Sequence, residues 1–152
     1  MQCAVVEFAR NVLNLNGASS TEIGNSPLHP VIDIMEEQKN IKKMGGTMRL
    51  GAYTCLLEQD SLANKVYEQH EISERHRHRY EFNNDYLSRF KEAGMIASGI
   101  NKETGLVEIM ELKNHPWFIA TQFHPELKST VINPHPLFVA FVDAALKHKK
   151  NQ

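Results

Sequence analysis

The 152-residue sequence is poor in features that would tie a protein to a membrane, a nucleic acid or an oxidising compartment. Its only cysteines, Cys3 and Cys55, are too few for a disulfide framework. No apolar run approaches the roughly 20 residues of a membrane span, and the first residues show no basic start followed by an apolar signal core. Lys plus Arg (17) nearly cancels Asp plus Glu (18), so no excess charge attracts DNA or anionic lipid. We therefore expect a cytoplasmic protein that binds neither nucleic acid nor membrane.

The composition that is present, 41% hydrophobic and 23% charged residues, is typical of one globular domain or a large part of one. Helical and strand patterns alternate without repeats or a linker, which predicts an α/β domain with antiparallel or mixed strands. The predicted helices are 1–17, 61–67, 85–93 and 137–147, and the predicted strands are 31–35, 47–57, 71–82, 95–100, 106–112 and 117–123. Residues 18–30 are expected to form a loop, and residues 36–43 an exposed charged connection.

The first predicted helix opens the chain directly, and nothing precedes its apolar stripe. Either the chain is an excerpt of a longer one, or the helix docks on later strands.

Residues 121–126 (TQFHPE) carry the strongest chemical pattern. An apolar strand delivers His124 at its C-terminal end, where α/β sheets place their sites, and Pro125 favours an extended backbone at His124. Residues two apart in an extended segment point to the same side. Glu126 is therefore expected to accept the proton on one ring nitrogen of His124 and leave the other as a base, as in a nucleophilic triad. The alternative to a catalytic role is that His124 is a surface histidine beside a proline in a turn.

Residues 74–81 (ERHRHRYE) alternate with period two. A strand would place two sets of side chains on opposite faces, Arg75, Arg77 and Arg79 on one and His76, His78 and Tyr80 on the other. Three guanidinium groups on one face require anions, which Glu81 or a bound carboxylate would supply. A solvated charged face explains the same pattern. A metal site on the two histidines is disfavoured by the interleaved arginines.

Residues 44–51 and Glu22 can each be explained by a structural role on physical grounds alone. Residues 44–51 (MGGTMRLG) lack the ending of a phosphate-binding loop, and they predict a turn that enters a strand with Gly51 as a bulge. Glu22 is either a capping-box acid or a ligand for an amino group.

Taken together, six segments resemble the C-terminal glutamine amidotransferase domain of CTP synthase, a class I amidotransferase of the triad type. They are Gln2, NGASSTE, GGTMRLG, ERHRHRYE, NHPWFIATQFHPE and the HPLF of the last helix. The resemblance runs over nearly the whole chain. It implies an α/β fold, the three-layer, flavodoxin-like mixed sheet of class I amidotransferases, incomplete because the first strands and the nucleophile elbow are missing.

The resemblance also implies a function. Residues 1–152 would be the C-terminal portion of a domain that hydrolyses L-glutamine and supplies ammonia for pyrimidine nucleotide biosynthesis. His124 and Glu126 would be the catalytic residues, and Gln2, Glu22 and Arg79 would bind glutamine. No cofactor or metal is expected in this domain. The full-length family enzyme is a ligase and a homo-oligomer, whose separate synthase domain uses ATP, Mg and UTP, with GTP as activator.

One element of the family pattern does not occur in this sequence. The nucleophilic cysteine of the family lies in a G-x-C-L-G-M-Q elbow, and the chain begins at the Met-Gln of that motif. Cys3 would lie roughly 7 Å further along the helix, at 1.5 Å per residue. We therefore predict that this polypeptide alone is an inactive glutaminase.

Three alternatives remain open at this stage. The chain is a catalytically dead module that binds glutamine or a partner, a hydrolase that uses His124 with an unrecognised nucleophile such as Cys3, or a metal-binding domain built on His76 and His78.

Overall fold

The structure, a computed structural model, describes residues 1–24, 26–34 and 48–151. Its regular elements are α1 Gln2–Asn11, β1 Ala18–Ser20, β2 His29–Asp33, β3 Arg49–Leu57, α2 Leu62–Tyr67, β4 Glu71–His78, β5 Glu81–Phe82, α3 Leu87–Glu92, β6 Met95–Asn101, β7 Val107–Leu112, β8 Ile119–Thr121 and α4 Pro136–Lys150. Two short 3₁₀ turns, Asn84–Tyr86 and Pro125–Lys128, precede α3 and follow β8. Within the described ranges, no helix is long and apolar enough to cross a membrane.

The strands form two sheets. The three-stranded sheet has the order β1-β2-β5, with β1 parallel and β5 antiparallel to β2. The five-stranded sheet is antiparallel in the order β4-β3-β6-β7-β8. The predicted α/β class with mixed strands is confirmed.

Helices pack on both sides of the five-stranded sheet. Ile109 and Met110 are successive residues of β7 and point to opposite faces, and they belong to two different buried apolar clusters. The first cluster contains side chains of α1 and α3, such as Phe8 and Phe90, and the second contains Ala63 of α2 and Leu137 of α4. This layering of helix, sheet and helix agrees with the three-layer arrangement that the resemblance implies.

The alternation predicted for residues 71–82 appears in β4. Ile72, Glu74 and His76 are buried, whereas Arg75 and Arg77 are exposed. The inward positions of β4 therefore include a carboxylate and an imidazole, and each must find a polar partner inside the protein. Those partners form the surroundings of the candidate site.

Several predicted boundaries differ from the structure. The first helix ends at Asn11 because Asn14 and Gly17 adopt left-handed backbone angles, with φ of 55° and 79°. The predicted loop 18–30 contains β1 and the start of β2, which form by pairing with each other. Gly51 is no bulge, since β3 and β4 pair in unbroken register, although its φ is 96°. The predicted connection 36–43 and the turn before Thr47 lie outside the described residues.

Candidate functional site

His124 and Glu126 lie side by side, as their spacing predicts. The His124 Nδ1 is 2.6 Å from the Glu126 Oε1, and the two side chains are 39% and 58% exposed. Burial opposes ionisation of Glu126, but the hydrogen bonds from His124 and from the Glu126 backbone, together with the electrostatic attraction of His124, lower the pKa of the carboxyl. An ionised carboxylate is a hydrogen-bond acceptor only. Nδ1 of the neutral imidazole therefore carries the proton, and Nε2 is left as a base.

Three chain segments meet at the strand that leads to this pair. The amino group of Met1 donates to the Thr121 carbonyl at 3.3 Å. The side-chain amides of Gln2 and Gln122 both donate to the Tyr80 carbonyl, at 3.1 and 2.6 Å. The start of α1, the backbone after Arg79 and the segment that leads to His124 are therefore joined. Arg79 itself is half-buried.

Glu22 lies in an exposed turn after β1. Residues 21–24 are not helical, so the interpretation of Glu22 as a capping-box acid is wrong. Its backbone amide donates to the Ser20 hydroxyl at 3.1 Å. Ser20 and Ile23, on either side of it, line a pocket of about 370 Å³ together with Gln2. The structure thus brings Gln2 toward the turn that holds Glu22.

Behind the pair lies a buried charged cluster that sequence reasoning missed. Arg49 donates to Glu108 Oε1 at 2.8 Å and to Glu81 Oε1 at 3.3 Å, and its guanidinium lies 4.4 Å from the centre of the Tyr53 ring. Burial and the charge of Glu108 outweigh the opposing charge of Arg49 and raise the pKa of Glu81 to about 8. One cation between two buried carboxylates therefore leaves Glu81 protonated at neutral pH.

The two histidines of β4 belong to the same cluster. His76 Nδ1 is 2.7 Å from His78 Nε2, and His78 Nδ1 is 3.0 Å from the Gln122 amide nitrogen. Burial, and then the charge of Arg49, lower the pKa of each imidazole to about 3, so both are neutral at pH 7. The part of the chain that the structure describes contains no group of three or more His, Cys, Asp or Glu placed to hold a metal ion.

The cluster also adds partners for Glu81. Its side chain was expected to serve one arginine of its own segment, and the structure shows it in contact with Arg49 of β3 and with His78. The available signal was the period of β3, because Arg49 shares an inward face with Tyr53 and Cys55. Residue type nevertheless favours an exposed Arg49, because arginine side chains are rarely buried.

The two thiols lie in different surroundings. Cys3 is exposed on α1. Cys55 is 1% exposed and packs with Ile72 and Ile109. Its thiol donates to the Leu56 carbonyl at 3.8 Å. Burial, followed by the charges of Glu108 and Glu74, raises the pKa of the Cys55 thiol to about 12. A neutral buried thiol is a poor nucleophile.

Residues 1–144 match the family model of the class I glutamine amidotransferases. The chain belongs to the class I glutamine amidotransferase family.

Within that family the chain is similar to CTP synthases. It is 60% identical over 149 residues to the CTP synthase of Flavobacterium psychrophilum, covering 98% of the chain and 28% of that protein. It is 63% identical over 145 residues to that of Cytophaga hutchinsonii, covering 95% and 27%. The chain thus spans just over a quarter of the length of these curated relatives.

A solved structure shows the same likeness. The glutaminase domain of Trypanosoma brucei CTPS with bound acivicin superposes with a TM-score of 0.88 at 38% identity, covering 97% of this chain and 57% of that chain. The resemblance to the glutamine amidotransferase domain of CTP synthase is confirmed.

Proposed function

We propose that this chain forms part of the glutamine-hydrolysing site of a CTP synthase, with His124 as general base and acid and Glu126 as its orienting carboxylate. The observation that carries the proposal is the 2.6 Å contact between the two side chains in a member of this family. Gln2, Glu22 and Arg79 are proposed to hold the substrate, with Glu22 on the amino group and Arg79 on the carboxylate of glutamine. Gln2 and Gln122 both donate to the carbonyl of Tyr80, the residue after Arg79. These bonds bring Gln2 close to the backbone beside Arg79, which supports binding of one substrate by both residues.

In the proposed chemistry, His124 first accepts a proton and then donates it. His124 Nε2 takes the proton of a cysteine thiol, whose sulfur attacks the carbonyl carbon of the glutamine side-chain amide. The imidazolium, stabilised by Glu126, then protonates the leaving nitrogen, and ammonia departs. A water that His124 deprotonates attacks the thioester and releases glutamate and the free thiol.

We further propose that the nucleophilic cysteine lies outside these 152 residues. Cys55 is buried and neutral. Cys3 lines a pocket with Gln2, Arg10 and Ser19, and none of the described residues that line this pocket belongs to the His124 segment 119–126. Without a nucleophile and its oxyanion hole, a triad enzyme keeps only residual catalysis. The isolated chain is therefore expected to release no appreciable ammonia.

A chimaera tests the proposal. The residues that precede the matching region in the Flavobacterium psychrophilum CTP synthase, which is 60% identical, are joined in front of Met1, and ammonia release from glutamine is measured. We expect activity in the chimaera and none in the 152-residue chain. His124→Ala in the chimaera should lower kcat by about 10³-fold or more, whereas His148→Ala, on the exposed end of α4, should leave it unchanged. Equal activity of the His124→Ala chimaera contradicts the proposal.

For the whole protein, we propose that the ammonia passes to a synthase domain outside this chain. That domain would use ATP and Mg to activate UTP and yield CTP, with GTP as activator, in a homo-oligomer. The CTP synthases to which the chain is similar support this role.

A second candidate function is a binding module without catalysis. Gln2 donates to the carbonyl of Tyr80, the residue after Arg79, while Cys55 is buried and Cys3 lies on the exposed surface of α1. Calorimetry with glutamine and the ammonia assay, both on the chimaera, separate the two, because binding without ammonia release in the chimaera favours the module.

A further inference from the structure

Glu74 connects three elements inside the protein, and the proposed reaction gives it no role. It lies on the buried face of β4 and is 1% exposed. Its Oε1 accepts hydrogen bonds from the Tyr67 hydroxyl at the end of α2 and from His135 Nε2 at the start of α4, both at 3.0 Å. His135 Nδ1 accepts from the Leu137 amide, so its proton is on Nε2 and points to Glu74. Glu74 therefore fixes the start of α4.

The second oxygen of Glu74 faces the turn that carries the proposed catalytic carboxylate. Lys128 Nζ lies 3.5 Å from Glu74 Oε2 and donates to the Ser73 carbonyl at 2.7 Å. Lys128 is the last residue of the 3₁₀ turn Pro125–Lys128, which contains Glu126. Burial opposes ionisation of Glu74, but His135 and Lys128 outweigh it and lower its pKa. A carboxylate thus holds the end of this turn.

The beginning of the turn is fixed on the same strand. The His124 amide donates to the Arg75 carbonyl at 2.8 Å, and the backbone amide of His135, after the turn, donates to the Ser129 hydroxyl at 3.0 Å. The turn is therefore attached to β4 before Glu126 and after it. Short 3₁₀ segments have poor intrinsic hydrogen-bond geometry, so these attachments decide their shape.

The contact between His124 and Glu126 needs such support. Both side chains are well exposed, and an exposed ion pair in water holds two side chains together only weakly. We infer that Glu74 is a positioning residue, which through Lys128 and His135 holds the turn 125–128 so that Glu126 stays on Nδ1 of His124. The importance of Glu74 for catalysis rests on the proposed function, but its effect on the position of Glu126 does not.

The test is the tautomer of His124 in the 152-residue chain. The ¹⁵N chemical shifts of the ring are measured by NMR at a pH where the imidazole is neutral, and His124→Asn identifies its signals. A hydrogen bond from Nδ1–H to a carboxylate sets the Nδ1–H tautomer. We expect this tautomer to dominate in the parent chain, and the ratio of Nδ1–H to Nε2–H to invert in Glu74→Gln.

The matched control is Glu71→Gln, on the same strand, where Glu71 is exposed and pairs with Lys102 at 2.8 Å. It removes the same charge and should leave the His124 tautomer unchanged. A folded Glu74→Gln protein that keeps the parent tautomer overturns the inference, whatever its melting temperature. The same holds if Glu71→Gln changes the tautomer equally.

A second pair of variants covers the case in which Glu74→Gln does not fold. Lys128 is 44% exposed, so Lys128→Met is compatible with folding. We expect Lys128→Met to lower the Nδ1–H fraction and Lys128→Arg, which keeps the charge, to restore it. An unchanged ratio in Lys128→Met overturns the inference. None of these measurements needs glutamine turnover, so the ammonia assay on the chimaera can fail while the positioning stands.

Discussion

Three histidine residues of this protein, His124, His76 and His78, occur in two surroundings that give them opposite properties. His124 is partly exposed beside a carboxylate, which favours a proton on Nδ1 and leaves Nε2 available. His76 and His78 are buried near Arg49, which lowers the pKa of each to about 3. Carboxylate oxygens of Glu108 and Glu81 lie 3.3 Å from the two rings, but burial and the charge of Arg49 dominate, so both imidazoles stay neutral. The same residue type is thus proposed as a base in one place and forms a neutral hydrogen-bond link in the other.

The two cysteines should differ sharply in reactivity. Because alkylation requires an accessible thiolate, iodoacetamide at pH 8 should modify exposed Cys3 and spare Cys55, whose pKa is raised to about 12 by burial. Mass spectrometry of peptides from native and urea-unfolded protein measures the two sites. In urea both should react. Equal modification of both cysteines in the native protein would contradict the buried position of Cys55.

The protonated state of Glu81 predicts a pH dependence of stability. Its pKa is about 8 in the folded protein, raised by burial, and near 4.5 when unfolded. Folding thus favours the protonated form, and the contribution of Glu81 to stability is lost as pH rises from 4.5 to 8. Between pH 6.5 and 8, the titration of Glu81 should lower the free energy of unfolding by roughly 1 kcal/mol per pH unit.

Urea unfolding of the parent chain and of Glu81→Gln at pH 6.5 and 8 measures this contribution. The parent should lose more stability than the variant over that interval. Parallel pH profiles would show that Glu81 is ionised at neutral pH.

At the scale of the elements, close packing between strands limits which side chains are tolerated. Gly99 of β6 faces β3 and β7, and it is fully enclosed. A Cβ at this position would lie 2.6 Å from Ile109 Cγ1 and 2.8 Å from Cys55 Sγ. Both neighbours are buried, so neither can move without disturbing the second apolar cluster.

Gly99→Ala should therefore lower the free energy of unfolding by about 1–3 kcal/mol, the usual cost of overpacking a core. Gly24→Ala is a suitable control, because a Cβ there meets no atom within 4 Å. Denaturant midpoints of both variants check the prediction. A Gly99→Ala protein as stable as the parent would mean that β6 and β7 separate more easily than their packing indicates.

For the whole molecule, an apolar surface and a strand edge lie close together. Phe141, Val142 and Leu146 of α4 are each 55% exposed, and Val142 and Leu146, four residues apart, lie on one side of the helix. Phe141 also lines a pocket of about 370 Å³ with Ile119 of β8, and β8 ends the order of the five-stranded sheet. Exposed edges and apolar patches favour association.

The 152-residue chain should therefore self-associate in solution. The double variant Val142→Lys and Leu146→Lys should shift light scattering toward the monomer. Asn16→Lys with Gln59→Lys adds the same charge at exposed sites elsewhere and should have little effect. A monodisperse parent monomer over a wide concentration range would show that this surface does not drive association.

Sequence patterns predicted the elements that depend on local periodicity. The helix 61–67 is confirmed, with Ser61 accepting from the Asn64 amide as its cap, and so is the alternation of β4. β1 was missed because its three residues have no period of their own and exist only by pairing with β2. The catalytic and binding roles of Gln2, Glu22, Arg79, His124 and Glu126 stay predictions.

The sequence by itself determined the family and the contact between His124 and Glu126, because motif identity and a two-residue spacing are local properties of the chain. Only the tertiary structure decided that Arg49 lies buried between Glu81 and Glu108 and that Glu74 reaches Lys128 and His135. Those partners are separated by tens of residues, and their charge states depend on burial. Burial arises only when distant strands and helices pack together.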